Sequence, residues 1–325
     1  MALTFQKCIF CDCDSDDPVF IEENGFTARK CQFCGLVYLY PRPAPEKVAS
    51  LYRLETPQSI KLLDSYDLDV FKKTLYAKHH LRIIRRYINN GSLLEIGFGG
   101  GFFLNEAKKS GFETYGLELN PVLCQRARDK FGINCENNPL SKGFGSIKFD
   151  IIYHCDIISH FNNPIEEFKT INRRLNKGGF LIFETGNIEF SNKYRSLFIS
   201  FQFPDHLFFF SCKNIKELLL RTGFEIVAIY KWQILPQLMM QKFYRILSKV
   251  VKFIFSAKNK TRMQTEVMEK KVPHMHKIYP WLSFVRRMHA ICSALINYFL
   301  RYQLGFILPK KNKPFTFMVI AKKIG

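Results

Sequence analysis

Leu94-Glu95-Ile96-Gly97-Phe98-Gly99-Gly100-Gly101-Phe102 is the stretch that decides the fold. A short apolar run, Leu93–Ile96, enters the glycines, and a helical stretch, Phe102–Ser110, leaves them. Glycines at such a corner let the backbone turn sharply and let a ligand approach without side-chain obstruction. The helix that follows offers unpaired N–H groups to an anionic part of that ligand. Glu118 falls at the end of the next apolar run, Thr114–Leu119, 21 residues after Gly97. An acid placed there can accept hydrogen bonds from both hydroxyls of a ribose.

Working outward, strands and helices alternate. Before the corner, apolar residues recur at helical spacing from Asp67 to Asn89 (Phe71, Leu75, His79, Leu81, Ile84, Tyr87), which predicts an amphipathic lead-in helix. His79 and His80 sit on it with no partner at suitable spacing and are expected to face solvent. After the corner come a helix over Pro121–Phe131 and strands over Ile133–Glu136 and Asp150–His154. A helix over Ile165–Leu175, a turn at Asn176–Gly179 and a strand over Phe180–Glu184 follow. Asn214–Thr222 reads as a helix closed by Gly223, leading into strands over Phe224–Tyr230 and, at the end of the chain, Phe315–Lys322. This order predicts an α/β fold, a Rossmann-like doubly wound sheet covered on both faces.

A nicotinamide site uses similar parts, but its third small residue would stand at position 102, which is Phe102. Glu95, two residues before the first glycine, is also foreign to that pattern. E-x-G-x-G-x-G followed by Tyr115-Gly116-Leu117-Glu118-Leu119-Asn120 resembles instead the first two motifs of class I S-adenosylmethionine methyltransferases. The resemblance continues through Phe149-Asp150-Ile151-Ile152 and Asp156-Ile157-Ile158-Ser159-His160-Phe161 with Pro164. It extends to Arg174-Leu175-Asn176-Lys177-Gly178-Gly179 and Glu184-Thr185-Gly186-Asn187, covering about residues 67–232. It implies S-adenosylmethionine as cofactor, with Glu95 among the residues that bind it, Gly97, Gly99 and Gly101 at its methionine end and Glu118 on its ribose. Cys155 and Asp156 would lie near the methionine moiety, and Glu136 or Asn137 near adenine.

Cys8-x-x-Cys11 and Cys31-x-x-Cys34 form two knuckles separated by nineteen residues. Such pairs bring four thiolates to a tetrahedral Zn²⁺ in a closed structural site, here a zinc ribbon-like module over residues 1–45. A segment this small lacks its own core, so the metal would supply much of its folding energy. Cys13 reads as a bystander that could compete with Cys11. The following Gly35-Leu36-Val37-Tyr38-Leu39-Tyr40-Pro41-Arg42-Pro43 resembles the segment that accompanies such knuckles in a bacterial subgroup of these methyltransferases, similar to ubiquinone and sugar methyltransferases. The subgroup implies small-molecule, glycan or lipid-linked acceptors.

Methyl transfer needs alignment of a nucleophile, exclusion of water and, usually, removal of a proton. Asp205-His206-Leu207-Phe208-Phe209-Phe210-Ser211 resembles the "EHlsYFs" segment of sugar C-methyltransferases, whose Glu, His and Tyr lie in the active site. Here His206 is retained, Asp205 replaces the Glu, and Phe209 stands where the Tyr would be. His160 matches the His of another family segment in which Ser159 replaces a Glu. His206, His160 and Asp205 are therefore the candidate catalytic residues, with a structural role for each histidine as the competing reading.

Net charge is +20, and its distribution is uneven. From Gln237 onward there are 18 Lys and Arg against Glu266 and Glu269, a net of +16, which leaves +4 for the first 236 residues. Lys242, Arg245, Lys249 and Lys252 recur at helical spacing beside Phe243, Leu247, Val250, Val251 and Ile254, and a second amphipathic segment spans Arg286–Leu300. Basic amphipathic helices suit an anionic membrane surface, so residues 237–304 are expected to make peripheral membrane contact, with packing on the sheet or a second subunit as the alternative. Large apolar faces without interleaved recognition motifs disfavour nucleic acid. Trp281–Leu300, the longest apolar stretch, is broken by Arg286, Arg287 and His289 and is no membrane span. Ten cysteines and no signal peptide point to the cytoplasm. The layout expected is a zinc module over 1–45, a core over 46–232, a basic helical insertion over 233–312 and a closing strand over 313–325. An RNA methyltransferase and a non-catalytic cofactor-binding module are the competing functions.

Overall fold

The computed structural model describes residues 3–5, 7–13, 17–44, 70–193, 201–232, 240, 243, 246, 280–304 and 314–324. In chain order the elements are β1 (Leu3–Thr4), β2 (Val19–Glu23), β3 (Phe26–Lys30), β4 (Val37–Leu39), β5 (Arg42–Pro43), α1 (Val70–Ile84), β6 (Gly91–Ile96), α2 (Phe102–Lys109), β7 (Phe112–Leu117) and α3 (Pro121–Phe131). They continue with β8 (Asn134–Glu136), β9 (Phe149–Cys155), α4 (Pro164–Arg174), β10 (Leu175–Gly186), α5 (Ile188–Lys193), β11 (Phe208–Phe209), α6 (Cys212–Arg221), β12 (Phe224–Trp232), α7 (Pro280–Tyr298) and β13 (Thr316–Lys323). Residues 46–65, the start of the expected core, and Lys242, Arg245, Lys249 and Lys252 lie outside the described residues.

Seven strands form the central sheet in the order β12-β13-β10-β9-β6-β7-β8. From β10 to β8 every pairing is parallel, while β13 runs antiparallel between β10 and β12. Consecutive residues Ile151, Ile152, Tyr153 and His154 of β9 are all buried, which only a sheet covered on both faces allows. Chain order reverses between β6 and β9, and the crevice at the carboxyl ends of strands beside such a switch is where α/β sheets bind ligands.

Local chemistry sets the helix ends. Asn120 caps α3 by accepting from the Val122 and Leu123 N–H groups with Pro121 at the first turn, and Gly132 closes the helix at φ 58°. Ser211 and Asn214 form a reciprocal capping box on α6. Strand β10 starts at Leu175, ahead of the expected Phe180. Leu175 is fully buried and pairs with Phe149, and the intervening residues bulge before Phe180 pairs with Ile151.

A second sheet, ordered β11-β4-β3-β2, carries the cysteine segment. Its outer strand β11 comes from 170 residues downstream, with Phe208 opposite Tyr38 and Phe209 opposite Val37. The same hydrophobic core holds Cys8, Cys31, Leu36 and Leu39 together with Leu94, Phe183 and Leu218. The chain divides into one unit of Met1–Trp232 with Lys310–Gly325 and another of Gln233–Pro309. In the second unit, α7 is followed by a π-helical turn, Phe299–Leu304, and Phe243, Ile246, Met288, Leu295, Ile296 and Phe299 are exposed. No helix among the described residues is long and apolar enough to cross a membrane.

Candidate active site

The glycine corner leaves β6 with Gly97, Gly99 and Gly101 all left-handed, at φ 68°, 54° and 74°. A Cβ at Gly97 would stand 2.5 Å from Ile157 Cδ1, and one at Gly101 would press on Ile133 and Ala127. Only glycine therefore permits this turn and the close approach of β9's continuation. Glu118, just past β7, holds the corner from its other side. Its Oε2 accepts from the Gly99 N–H at 2.9 Å and its Oε1 from the Asn120 N–H at 3.0 Å. Burial raises its pKa, against the backbone N–H groups of Asn120, Gly99 and Leu119. A carboxylate offers about four lone-pair sites, so Glu118 keeps acceptor capacity for a further donor.

Glu95 is buried beneath the same corner and accepts from the Leu104 N–H of α2. Burial, then the charge of Glu118, pushes its carboxyl well above the usual range. Its Oε2 meets no hydrogen-bond partner among the described residues. Asn137 donates to the Glu118 carbonyl at 2.7 Å, whereas Glu136 braces its own loop by accepting from Phe144 N–H and Asn138. Asp156 follows β9 in the left-handed region at φ 55°, its N–H bonded to the Glu184 carbonyl at 2.9 Å. Donor atoms of Cys155, Asp156 and Glu184 lie within 4.8 Å of one another.

The fold also brings together His160 and the adjacent pair Asp205 and His206, which lie 45 and 46 residues further along the chain. His160 Nδ1 donates to the Asp205 carbonyl at 3.0 Å and stands 3.4 Å from Oδ1 of the same residue. The His160 and His206 rings meet edge to face at 4.6 Å. Burial would lower His160, but the hydrogen bond and charge of Asp205, with Asp156 behind, outweigh it and hold His160 above its ordinary value. His206 is drawn down to about 4 by burial and then by His160, against Asp205 and Glu23. At neutral pH His206 is thus a neutral imidazole beside a His160–Asp205 pair. The three donor atoms lie within 4.8 Å of one another, a set that could also take a divalent cation.

The expectation that His79 and His80 face solvent is corrected. His80 is 5% exposed, with Nδ1 2.7 Å from Tyr153 Oη and Nε2 3.1 Å from Glu184 Oε2. His79 is half-buried, its ring edge-on to Trp232 at 5.9 Å. The signal in the sequence was periodicity. Ala77, His80, Leu81 and Ile84 share the buried face of α1, so a histidine at that phase needs polar partners across the core.

His154 belongs to the core. Its ring stacks on Phe183 at 5.0 Å, neither nitrogen meets a partner among the described residues, and burial lowers its pKa to about 3. Between pH 6.5 and 3 the unfolded chain takes up a proton that the folded chain refuses, so stability falls as pH falls through that window. One such group gives a slope of about 1.4 kcal/mol per pH unit. Melting curves from pH 7 to 4 should therefore fall less steeply for His154→Phe than for the native chain. Equal slopes would contradict the assignment.

The four cysteines of the two knuckles converge, all donor atoms lying within 4.8 Å and Cys8 Sγ 3.5 Å from Cys34 Sγ. A tetrahedron with Zn–S bonds of about 2.3 Å has an edge of about 3.8 Å, so the set fits that ion closely. Cys8 accepts from the Phe10 and Cys11 N–H groups, and Cys34 from that of Leu36, as knuckle turns do for bound thiolates. The Cys34 thiol donating to it draws Cys8 down to about 5, while Cys34 itself is pushed up by the same contact. Cys13 turns away, bonded to the Cys11 carbonyl. The core grips the module through α6, where Asn214 donates to the Cys34 carbonyl and Arg221 to that of Phe10.

Residues 68–229, about half of the chain, match a family model described as a methyltransferase domain. No curated protein matches the chain. Among solved structures it is similar to an S-adenosylmethionine-dependent methyltransferase from Archaeoglobus fulgidus (16% identity, 78% of this chain and 97% of that one, TM-score 0.45). It is also similar to one from Mesorhizobium loti (15%, 75% and 96%, TM-score 0.42) and one from Thermotoga maritima (22%, 53% and 81%, TM-score 0.43). The family match falls on the sheet, the glycine corner and its acidic partner, and the chain accordingly carries a class I S-adenosylmethionine-dependent methyltransferase domain.

Proposed function

We propose that the protein methylates a small-molecule, glycan or lipid-linked acceptor, with His206 taking the acceptor's proton. The observation that carries this reading is the convergence of His160, Asp205 and His206 into one cluster that leaves His206 neutral. S-adenosylmethionine, when bound, supplies an electrophilic methyl group. The chain's own residues fit it: the left-handed corners at Gly97 and Gly101 tolerate no side chain, and the Glu118 carboxylate, held by backbone N–H groups, keeps acceptor capacity that a ribose hydroxyl would use. Buried Glu95 has an oxygen left for a donor of the cofactor, and Cys155 and Asp156, clustered with Glu184 at the end of β9, are the residues proposed beside the methionine moiety. Asn137, tied to the Glu118 carbonyl, borders the adenine side.

His160 keeps its Nδ1 proton on Asp205, and this pair fixes the face on which His206 stands. That arrangement favours proton transfer over a bound cation as the cluster's task. The Cys8, Cys11, Cys31 and Cys34 set holds a structural Zn²⁺. Phe209, packed 5.9 Å from His206, gives the acceptor an apolar neighbour where a phenol would otherwise stand. The exposed Phe243, Ile246, Leu295 and Phe299 in a strongly basic segment support a reading of peripheral contact with an anionic membrane through residues 237–304, with the cytoplasmic side as the proposed location.

His206→Ala tests the base. With methyl-labelled S-adenosylmethionine and host extract, transfer should fall about a hundredfold or more, the usual worth of a general base, while cofactor affinity is unchanged. In the native chain the rate should hold from pH 8 down to about 5 and fail as pH drops through about 4, where His206 takes up a proton. Undiminished transfer by His206→Ala would remove His206 from the mechanism.

A further inference from the structure

We infer that Glu23, in the cysteine-bearing sheet, is a positioning residue for His206. The inference rests on the reading of His206 as base. Residues 201–209 carry Asp205 and His206, and their anchors come largely from the N-terminal segment. Glu23 Oε2 accepts from the Phe201 N–H at 2.8 Å and Oε1 from the Gln202 N–H at 3.0 Å. Asn24 donates to the Phe203 carbonyl at 3.2 Å, and the Leu39 N–H to the Leu207 carbonyl at 2.9 Å. Phe208 and Phe209 then complete the sheet beside Tyr38 and Val37.

The chain of bonds from Glu23 to the imidazole is short. Gln202 is held at φ 62°, a left-handed conformation that a residue with a Cβ adopts only when its surroundings impose it. The carbonyl of this same Gln202 accepts from the N–H groups of both Asp205 and His206, at 2.9 and 3.2 Å. Glu23 thus clamps the N–H side of the residue whose carbonyl side forms the turn that presents the two candidate catalytic groups. Phe201, Phe203 and Phe209 pack ring on ring, at 5.6 to 6.1 Å, and close the loop around this clamp.

The other end of the clamp leads to the metal knuckle. Glu23 ends β2, and the Asn24–Gly25 turn passes directly into β3, which delivers Cys31. The cysteine sheet is therefore the frame on which the acceptor side of the site is mounted. Glu23 is also one of three charged groups that act on His206, with His160 and Asp205.

The experiment compares Glu23→Ala, Glu23→Gln and His206→Ala in the full metal-loaded chain. In Glu23→Ala, amide exchange at Phe201, Gln202, Asp205 and His206 should accelerate at least about tenfold, with that of β6 unchanged. Label transfer to host extract should fall at least about tenfold while the dissociation constant for S-adenosylmethionine stays within about twofold. Glu23→Gln, which keeps one acceptor oxygen, should fall between. The His206 imidazole, followed by its proton resonance, should titrate at lower pH in both Glu23 variants, because a negative charge has been removed. Unchanged exchange would overturn the inference, and so would fast exchange with native transfer, which would make the clamp merely structural. If His206→Ala retains transfer, the base reading itself fails. If it abolishes transfer while Glu23→Ala is native in rate and exchange, only the inference fails.

Discussion

Glu118→Gln should weaken S-adenosylmethionine binding by at least about a hundredfold, because two hydrogen bonds to a charged group are together worth about 3 kcal/mol or more. The loss comes from two sources that act in the same direction. The Glu118 oxygens already accept backbone N–H groups, those of Gly99 and Asn120 at 2.9 and 3.0 Å, and the carboxylate keeps acceptor capacity for ribose hydroxyl donors. An amide must turn its NH₂ towards one of those N–H groups, which sets donor against donor and disturbs the corner or the α3 start. It also removes the charge that a pair of hydroxyls would bond. Titration calorimetry reads the affinity directly, and amide exchange in β6 reports whether the sheet is intact. Native affinity in Glu118→Gln would mean that the acid serves the corner alone.

The second large effect is expected from the metal module. Cys31→Ser, or removal of the ion by a strong chelator, should lower the unfolding midpoint by about 10 °C or more, since structural zinc contributes several kcal/mol to folding. Cys31 is 1% exposed and shares the core with Leu94 and Phe183, so loss of the ion is felt beyond the knuckle. Methyl transfer should stop as well, because β11 and the preceding loop hang on β4 and Glu23. Cofactor affinity should change only a few-fold, because the glycine corner and Glu118 belong to the parallel sheet. Mass spectrometry of the native chain should show one zinc ion. Metal-free protein with native stability would contradict the assignment.

The parts of this molecule that were legible in its sequence are those whose causes are local. The glycine corner, the Asn120–Pro121 start of α3 and the two cysteine knuckles each follow from residues within a few positions of one another. The doubly wound sheet followed because apolar runs and helices alternate, but its strand order did not. His160 and the Asp205–His206 pair stand in separate segments of the sequence, and the fold brings them together.

What remained hidden depends on pairings across long stretches of chain. Nothing near Phe208-Phe209 says that two residues will join a sheet built by Val19–Leu39. Glu23 looks like an ordinary surface acid until the N–H groups of Phe201 and Gln202, 178 and 179 residues away, are brought to it. The polar setting of His80 is not legible in the sequence because its partners, Tyr153 and Glu184, stand on two different strands. A helix pattern reports the face a residue occupies, not the polar groups waiting opposite.

The measurement that bears most directly on the central claim is label partition. Purified native chain with methyl-labelled S-adenosylmethionine is incubated with host extract, which is then separated into lipid, soluble-glycan, small-molecule and RNA fractions. Methyl transfer to a small-molecule, glycan or lipid-linked acceptor predicts label in one of the first three fractions, absent with Glu118→Gln. Label confined to RNA, or none in any fraction although the cofactor binds, would contradict it.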